Sequence, residues 1–334
     1  MESASVQVIF FQHLRASLPL HISMVDDIAD LLQISTDSVY RRIRGEKSIS
    51  FEELKKLCTH YKISLDQLLH LQTDTVVFNG KTVTASDFNF EQYLLSVLQN
   101  VQYMNSFNQK EMLYLNKDIP VFYHFIFPEL AAFKSFFWMR SILNYPEYAN
   151  KQFKIAEHIT DGIKQTGQKL AEAYSLLPSQ EIWNIESINS TIRQIEYYKD
   201  TRVFASRHDI MTIYECLEKT MDYIHRQAEA GCKFSPDGKS MNQRVPYKMY
   251  VNEFILGDNT ILALLGDAKI AYVNHSVFNY LLTKDPSFCD YTWQHFQNII
   301  KKSTLISEVG EKERSRFFNI IKEKINARKN ALMH

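Results

Sequence analysis

Residues 23–71 read SMVDDIADLLQISTDSVYRRIRGEKSISFEELKKLCTHYKISLDQLLHL, and this stretch decides the fold of the N-terminal region. Its apolar residues recur at helical spacing in short runs, and Gly45 ends one of these runs. A hydroxyl group of Ser35 or Thr36 can cap the second run. The pattern predicts a small all-α domain over residues 1–72, with helices at about Val25–Leu32, Ser50–His60 and Ser64–Leu71, and a second helix that begins after Ser35 or Thr36 and runs to about Arg44.

The second predicted helix has two distinct faces. On a wheel of about 100° per residue, Val39 and Ile43 share one side, which we predict to be buried. Asp37, Arg41 and Arg44 point the other way, toward solvent or a ligand. In the third predicted helix the side chains expected to face the core are Phe51, Leu54, Leu57 and Cys58.

Two short helices joined by a tight turn, the second exposing arginines, have the shape that the major groove of DNA admits. The segment IADLLQISTDSVYRRIRGEKSISFEELKKL resembles the central motif of the lambda repressor/Cro-like, or XRE-family, helix-turn-helix domain. The resemblance covers about residues 6–72, roughly a fifth of the chain. It implies a DNA-binding transcriptional regulator whose second helix reads the base sequence.

The resemblance also implies roles for individual residues. Bases are contacted from the early positions of the recognition helix and one turn later, which here are Thr36, Asp37 and Arg41. The Arg41 guanidinium is suited to guanine O6 and N7, and Asp37 either accepts from cytosine N4 or pairs with Arg41. Phosphate contacts, which fix register, are expected from Ser38, Tyr40, Arg44 and Lys47. Val25 stands where the family often has a glutamine that touches the DNA backbone.

The charge of the chain argues against binding to nucleic acid by bulk attraction. The 38 Lys and Arg balance the 38 Asp and Glu, and residues 1–74 carry a net charge of −2. The segment from Arg41 to Lys47, however, holds four cations and a single acid, Glu46. Because charges are screened beyond about 8 Å at physiological salt, this local cluster decides what a phosphate meets. We expect weak nonspecific binding, and we assign Arg42, nearer the buried side, to an intramolecular salt bridge.

The remainder of the chain predicts a larger domain. Residues 73–87 (TDTVVFNGKTVTASD) are polar and β-branched and are the candidate linker. Residues 88–334 are predicted to be mostly long amphipathic helices, with a small antiparallel β-meander at about 247–282. The expected fold class is therefore mainly α, a helix-turn-helix domain followed by a helical regulatory or dimerisation domain with a small sheet near its C-terminus.

Composition sets the broad class. The 334 residues are 45% apolar and 23% charged, as in ordinary globular proteins, and are enough for two or three domains. The four cysteines are far apart in sequence, which favours a reducing cytoplasm over a disulfide framework. We identify no signal peptide and no apolar segment that would span a membrane.

Nothing in the sequence points to catalysis. The histidines lack metal-ligand spacing, and there is neither a nucleophile elbow nor a phosphate-binding glycine loop. We therefore expect no enzymatic activity, no metal and no cofactor.

Two segments of the larger domain allow more than one interpretation. The aromatic stretch IPVFYHFIFPELAAFKSFFWMRSIL, residues 119–143, suits a hydrophobic core and also the wall of a ligand pocket. The C-terminal stretch 312–329 has seven basic and two acidic residues beside an apolar stripe, which favours a docked surface helix over a second DNA contact or a contact with a partner helix.

The sequence as a whole favours a one-component transcriptional regulator. Its expected partners are double-stranded DNA, a second copy of the chain in a homodimer, and possible small-molecule or peptide effectors. Two alternatives remain open at this stage: a peptide-sensing repressor with a helical-repeat receptor, and a scaffold whose N-terminal bundle binds another protein.

Overall fold

The computed structural model describes residues 5–18, 23–61, 63, 65, 75–80, 89–158, 160–254, 257–276 and 279–333. The chain forms two compact units, Met1–Val77 and Phe78–His334. Of the candidate linker, only residues 75–80 are described. Asn79 there forms an antiparallel bridge with Leu282, so residues 78–80 of the predicted linker belong to the larger unit.

The N-terminal unit is helical, as predicted. Serine side chains begin three of its helices: the hydroxyl groups of Ser5, Ser23 and Ser35 accept from backbone N–H groups of the first turn. The predicted helix at 64–71 lies outside the described residues apart from residue 65. The described helices are α1 Val6–Ser17, α2 Met24–Leu32, α3 Thr36–Ile43 and α4 Phe51–Tyr61.

A single apolar cluster holds these helices together. Val39 and Leu57 are fully buried, and Ile43, Leu54 and Cys58 pack against the cluster, as predicted. Its other fully or almost fully buried members are Phe10, Phe11, Leu14, Ile28, Ala29 and Leu32.

The prediction for Phe51 is wrong. Its side chain is 86% exposed. On the α4 wheel Phe51 lies about 120° from the fully buried Leu57, and it occupies the first helical position, at the end of the helix.

The described residues of the larger unit form seven strands and a series of helices. In chain order they are α5 Phe90–Asn105, β1 Lys110–Leu115, a 3₁₀ helix Val121–Phe125, α6 Pro128–Phe137 with a π-helical extension Trp138–Ile142, a 3₁₀ turn Pro146–Tyr148, α7 Ile155–His158, α8 Asp161–Ser175, β2 Ser179–Trp183, α9 Asn189–Asp200, α10 Arg207–Ala230, β3 Tyr247–Val251, β4 Thr260–Leu265, β5 Ala268–Asn274, β6 Tyr280–Thr283, α11 Pro286–Lys301, β7 Thr304–Leu305 and α12 Glu311–Met333.

The seven strands form one mixed sheet, in the order β6-β5-β4-β1-β2-β3-β7. Strands β1, β2 and β3 are parallel to one another, with Met112 opposite Ser179 and Ser179 opposite Tyr247. Strands β4, β5 and β6 form an antiparallel meander that continues from β1. The prediction of a small antiparallel sheet is therefore wrong: the meander is one half of a larger mixed sheet, and β3 pairs with β2 and β7 instead of β4.

The missed strands have a physical explanation. KEMLYL in β1 and SQEIW in β2 are short and lie within segments that are otherwise helical. They pair across 67 residues, from Met112 to Ser179, through a crossover that contains α6 and α8. Parallel pairing of this kind depends on distant segments, and local periodicity does not reveal it.

Apolar side chains cover the sheet on both faces. Met112 and Tyr114 on β1 join the principal core, to which α5, α6, α8, α9, α10 and α12 contribute. Leu113 and Leu115 point to the opposite face and pack with Phe296 of α11. The alternation along β1 thus divides the unit into a thick helical layer, the sheet and a thinner helical layer.

The aromatic stretch 119–143 belongs mainly to the principal core, where Phe133 and Phe136 are fully buried. The C-terminal helix α12 is docked by its apolar stripe, since Phe317, Ile321 and Ile325 are buried. The expectation of a docked surface helix is therefore confirmed.

A buried ion pair lies on the principal-core side of β2. The Nζ atom of Lys233 is 3.1 Å from Oε1 of Glu181, and both side chains are almost completely buried. Hydroxyl groups of Tyr123, Tyr174 and Tyr247 donate to the same carboxylate. Trp183 Nε1 and Ser179 Oγ also donate to it. These donors compensate the desolvation of the carboxylate.

The lysine of this pair is held among aromatic rings. Lys233 Nζ lies 3.8 Å from the ring centroid of Tyr174 and 4.6 Å from that of Tyr247. Burial lowers the pKa of Lys233 to about 8, and the Glu181 carboxylate opposes the shift. The charged ammonium therefore depends on Glu181 and on the ring faces for its stabilisation.

We predict that Lys233→Met destabilises the larger unit by about 3–5 kcal/mol, because it leaves the Glu181 carboxylate buried without its cation. Denaturant unfolding followed by tryptophan fluorescence measures this change, since all three tryptophans lie in this unit. Lys239→Met, at a side chain that is 80% exposed, is the matched control and should leave the unfolding midpoint unchanged. Equal midpoints for the two variants would contradict the prediction.

Candidate DNA interface

The helix-turn-helix consists of α2, a short turn and α3. Gln33 ends α2 in the left-handed conformation, with φ 56°, which turns the chain sharply. Two residues later the hydroxyl group of Ser35 accepts from the N–H group of Ser38, 3.3 Å away, and so starts α3. A left-handed residue followed closely by an N-cap lets two helices meet at a fixed angle in very few residues.

The structure sorts the residues of α3 as the wheel predicts. Val39 is fully buried, whereas Thr36, Asp37 and Arg41 are exposed. Among the residues expected to contact phosphate, Tyr40, Arg44 and Lys47 are exposed and Ser38 is half-buried. The Ser38 hydroxyl group accepts a hydrogen bond from Ser35 Oγ at 3.1 Å.

Arg42 forms the predicted intramolecular salt bridge. Its guanidinium donates twice to Glu53, with Nη2 2.6 Å from Oε1 and Nε 3.1 Å from Oε2. A third donor, Nη1, reaches the carbonyl oxygen of Ser38 at 3.0 Å. The Arg42 side chain is only 4% exposed. Arg42 therefore ties α3 to α4 and takes no part in the outward surface.

Glu53 has a second structural task, which the sequence reasoning missed. Its carboxylate accepts from the N–H group of Ser50 at 3.1 Å, while Ser50 Oγ accepts from the N–H group of Glu53 at 3.2 Å. This reciprocal pair is a capping box at the start of α4. The pattern Ser-x-x-Glu at residues 50–53 is the signal that identifies it in the sequence. The Arg42 guanidinium lowers the pKa of the Glu53 carboxyl and keeps it ionised.

Gln7 of α1 supports the loop that follows α3. Its Nε2 donates to the carbonyl oxygens of Arg42 at 2.7 Å and Lys47 at 2.8 Å. Its Oε1 accepts from the N–H group of Ile49 at 3.0 Å. Gly45 takes the positive φ of 78° that the turn requires. No local sequence pattern links Gln7 to residues about 40 positions away.

Glu46 competes for the cations of the outward surface. Its carboxylate holds Arg44 through two short contacts, Nε to Oε1 at 2.6 Å and Nη2 to Oε2 at 3.0 Å. Arg41 Nε lies 4.0 Å from the same group. All three side chains are about half exposed, and surface pairs of this kind contribute little to stability. A phosphate can therefore displace Glu46 at small cost.

Two explanations were given for Asp37: a contact with a cytosine base and an ion pair with Arg41. Asp37 is exposed at the start of α3, and within the part of the chain that the structure describes it forms no ion pair with Arg41. A carboxylate in the first turn also interacts favourably with the helix N-terminus. Its predicted contact with a base remains a prediction.

Val25, where the resembling family often has glutamine, packs against the apolar cluster of the domain. Its side chain thus contributes to folding. It offers no hydrogen bond to a phosphate.

The comparisons with known proteins agree with this geometry. A Helix-turn-helix family model matches residues 14–68, which include α2, the turn, α3 and α4. The N-terminal unit therefore contains a helix-turn-helix domain of the Cro/C1, or XRE, type. No curated protein and no solved structure matches the chain. This domain supports the assignment of the protein to the DNA-binding transcription regulators.

In the part of the chain that the structure describes, no three His, Cys, Asp or Glu side chains are grouped so that they could hold a metal ion. The described helices include none that combines the length and apolarity needed to cross a bilayer.

We predict that Arg42→Met loosens α3, because it removes a buried bidentate pair and leaves Glu53 without its cation. The expected cost to the N-terminal unit is about 3 kcal/mol. Amide hydrogen exchange across residues 36–61 should become faster. Arg44→Met, at an exposed side chain in the same turn, is the matched control and should leave exchange in α3 unchanged. Parental exchange rates in Arg42→Met would show that the pair does not hold α3.

Proposed function

We propose that this protein is a sequence-specific, one-component transcriptional regulator that binds its operator through α3. The observation that carries the proposal is that the arginines of α3 and its C-cap lie on two different faces, one buried and one exposed. Arg42 is buried and paired within the domain, whereas Arg41 and Arg44 face outward, and the exposed Glu46 is their ion-pair partner among the described residues. A helix presented in this way fits the major groove.

Each outward residue receives a distinct role in the proposal. Thr36, Asp37 and Arg41 contact base edges, since they occupy the first turn of α3 and the position one turn later. Residues Ser38, Tyr40, Arg44 and Lys47 contact phosphates and set the register. The role is regulatory, and no catalytic step is assigned to either unit.

The proposal includes a homodimer. One α3 helix reads only a few base pairs, and two-fold pairing places two such helices about 34 Å apart on one side of DNA. Signal sensing and dimerisation are assigned to the larger unit, Phe78–His334, which is more than three quarters of the chain.

Selection of bound oligonucleotides from a random pool by the whole chain tests the proposal. We expect one enriched motif that occurs as an inverted pair with half-sites about one helical turn apart. Enrichment of a single unpaired motif would reject the dimer while retaining sequence recognition. Two results together would favour a protein partner for the N-terminal bundle. No oligonucleotide would be enriched, and binding of the DNA pool by the chain would not weaken as salt rises.

We predict different losses for the two outward arginines. Arg41→Ala should reduce operator affinity by about 1–3 kcal/mol and relax sequence choice at one base position. Arg44→Ala should weaken binding to all sequences alike and lower the slope of log K against log salt by about one. Fluorescence anisotropy with operator and mutated duplexes at several salt concentrations measures both effects. Parental binding by both variants would show that this face is not the DNA interface.

We predict that Glu46→Gln strengthens DNA binding at low salt by about two- to fivefold, with a smaller gain as salt rises. The change releases Arg44 and Arg41 from their carboxylate and removes a charge that repels phosphate. Glu52→Gln is the matched control, because it alters the net charge equally at an exposed position of α4 that forms no ion pair with an arginine among the described residues. Equal gains in the two variants would attribute the effect to net charge alone.

A further inference from the structure

A cavity of about 510 Å³ lies within the larger unit, between α5 and the sheet. Its walls come from α5, from β1, β4, β5 and β6, and from the 3₁₀ helix after β1. The apolar part of the wall includes Val97, Val101, Met104, Met112, Phe122 and Ile261. This volume falls within the range of about 300–1,000 Å³ that is usual for small-molecule sites.

The described part of the cavity wall carries no charge. Of the described residues that line it, none has an acidic or basic side chain, and its polar groups are amides and hydroxyls. A charged molecule would lose its hydration there without meeting an opposite charge, which is costly. The composition of the wall therefore selects for uncharged molecules.

Two tyrosine hydroxyl groups supply polar recognition within this apolar wall. Tyr114 OH and Tyr280 OH lie 3.1 Å apart, and both side chains line the cavity. Only one of the two O–H groups is used in this contact, so the pair can donate a further hydrogen bond and can accept one. Burial raises the pKa of Tyr114 and raises that of Tyr280 to about 12, so both groups remain protonated at neutral pH.

The rim of the cavity differs from its interior. Asn89, Gln92 and Asn100 line it and are exposed to solvent, whereas Met112 and Tyr114 at the sheet are almost completely buried. A polar, solvated rim above an apolar interior is the arrangement of a ligand site with an opening. The aromatic stretch 119–143 contributes only Val121 and Phe122 to this wall, so its interpretation as a pocket wall holds for those two residues.

We propose that this cavity binds a small, uncharged, largely apolar molecule whose hydroxyl, carbonyl or aromatic amine group bonds to the Tyr114–Tyr280 hydroxyl pair. Ligand binding at this site stands independently of DNA recognition. Its use as an effector site rests on the proposed function, since the output that the ligand would change is operator binding.

Two fluorescent probes that share a scaffold and differ in charge test the proposal. N-phenyl-1-naphthylamine is neutral and has one N–H group, whereas 8-anilinonaphthalene-1-sulfonate adds a negative charge. We expect the neutral probe to bind the full-length protein saturably at one site. The sulfonate should bind about tenfold more weakly or worse, because the described lining residues offer it no cation. Equal affinity for the two probes would overturn the proposal.

Substitutions on α5 locate the binding site. Val97→Trp fills the cavity and should reduce the affinity for the neutral probe by about tenfold or more, while Leu95→Trp, on the same helix and outside the wall, should leave it unchanged. Circular dichroism establishes that each variant is folded. If Val97→Trp is not folded, Val97→Met decides the question, with an expected loss of about threefold. Parental affinity in a folded filling variant would overturn the proposal.

Tyr280→Phe tests the hydroxyl pair separately. It keeps the ring and removes one hydroxyl group, and it should weaken binding of the neutral probe about threefold. Unchanged affinity would remove the hydroxyl pair from the recognition model.

Probe binding and operator binding fail separately. Loss of saturable probe binding with intact operator selection would reject the cavity as a ligand site and leave the proposed function standing. Probe binding by a protein that selects no DNA would reject the proposed function and retain the site. A change of operator affinity in the parent on saturation with the neutral probe, absent in Val97→Trp, would establish coupling.

Discussion

The N-terminal unit depends on the double hydrogen bond between Arg42 and Glu53. Glu53 also caps α4 through Ser50, so a single carboxylate fixes both the start of α4 and the orientation of α3. Because one arginine of α3 is used inward, the helix cannot rotate about its axis without breaking a buried charge pair. Arg41 and Arg44 consequently face outward in a defined direction.

The larger unit combines a charged centre with an uncharged cavity. At β2, the Glu181–Lys233 pair is enclosed by tyrosines and a tryptophan that satisfy the carboxylate. At the other half of the sheet, α5 and the antiparallel strands leave space lined by apolar and neutral polar side chains. A fully satisfied polar network favours a single arrangement of its surroundings. The uncharged lining of the cavity, by contrast, surrounds space that a small molecule can occupy.

Local charge outweighs net charge at the candidate DNA interface. The domain is slightly acidic overall, yet some of its carboxylates form hydrogen bonds within the domain. Glu53 accepts from Arg42, and Asp27 accepts from the hydroxyl group of Tyr61 at 2.5 Å. On the outward surface, Glu46 contacts Arg41 and Arg44, and Asp37 is a second exposed acid. An exposed pair of this kind is weak in water, so it moderates phosphate binding without preventing it.

The helix-turn-helix can be predicted from the amino-acid sequence, because its helical periodicity, its N-cap residues and Gly45 act within a few residues of one another. The sequence also placed Val39 inward, Arg41 outward and Arg42 in a salt bridge, since these follow from one helical wheel. Four features are apparent only in the folded chain: the partner of Arg42, the hydrogen bonds from Gln7 to the loop after α3, the mixed sheet and the cavity. Each of these joins segments that lie far apart in the chain, and such pairing is set by packing and topology, which local periodicity does not encode.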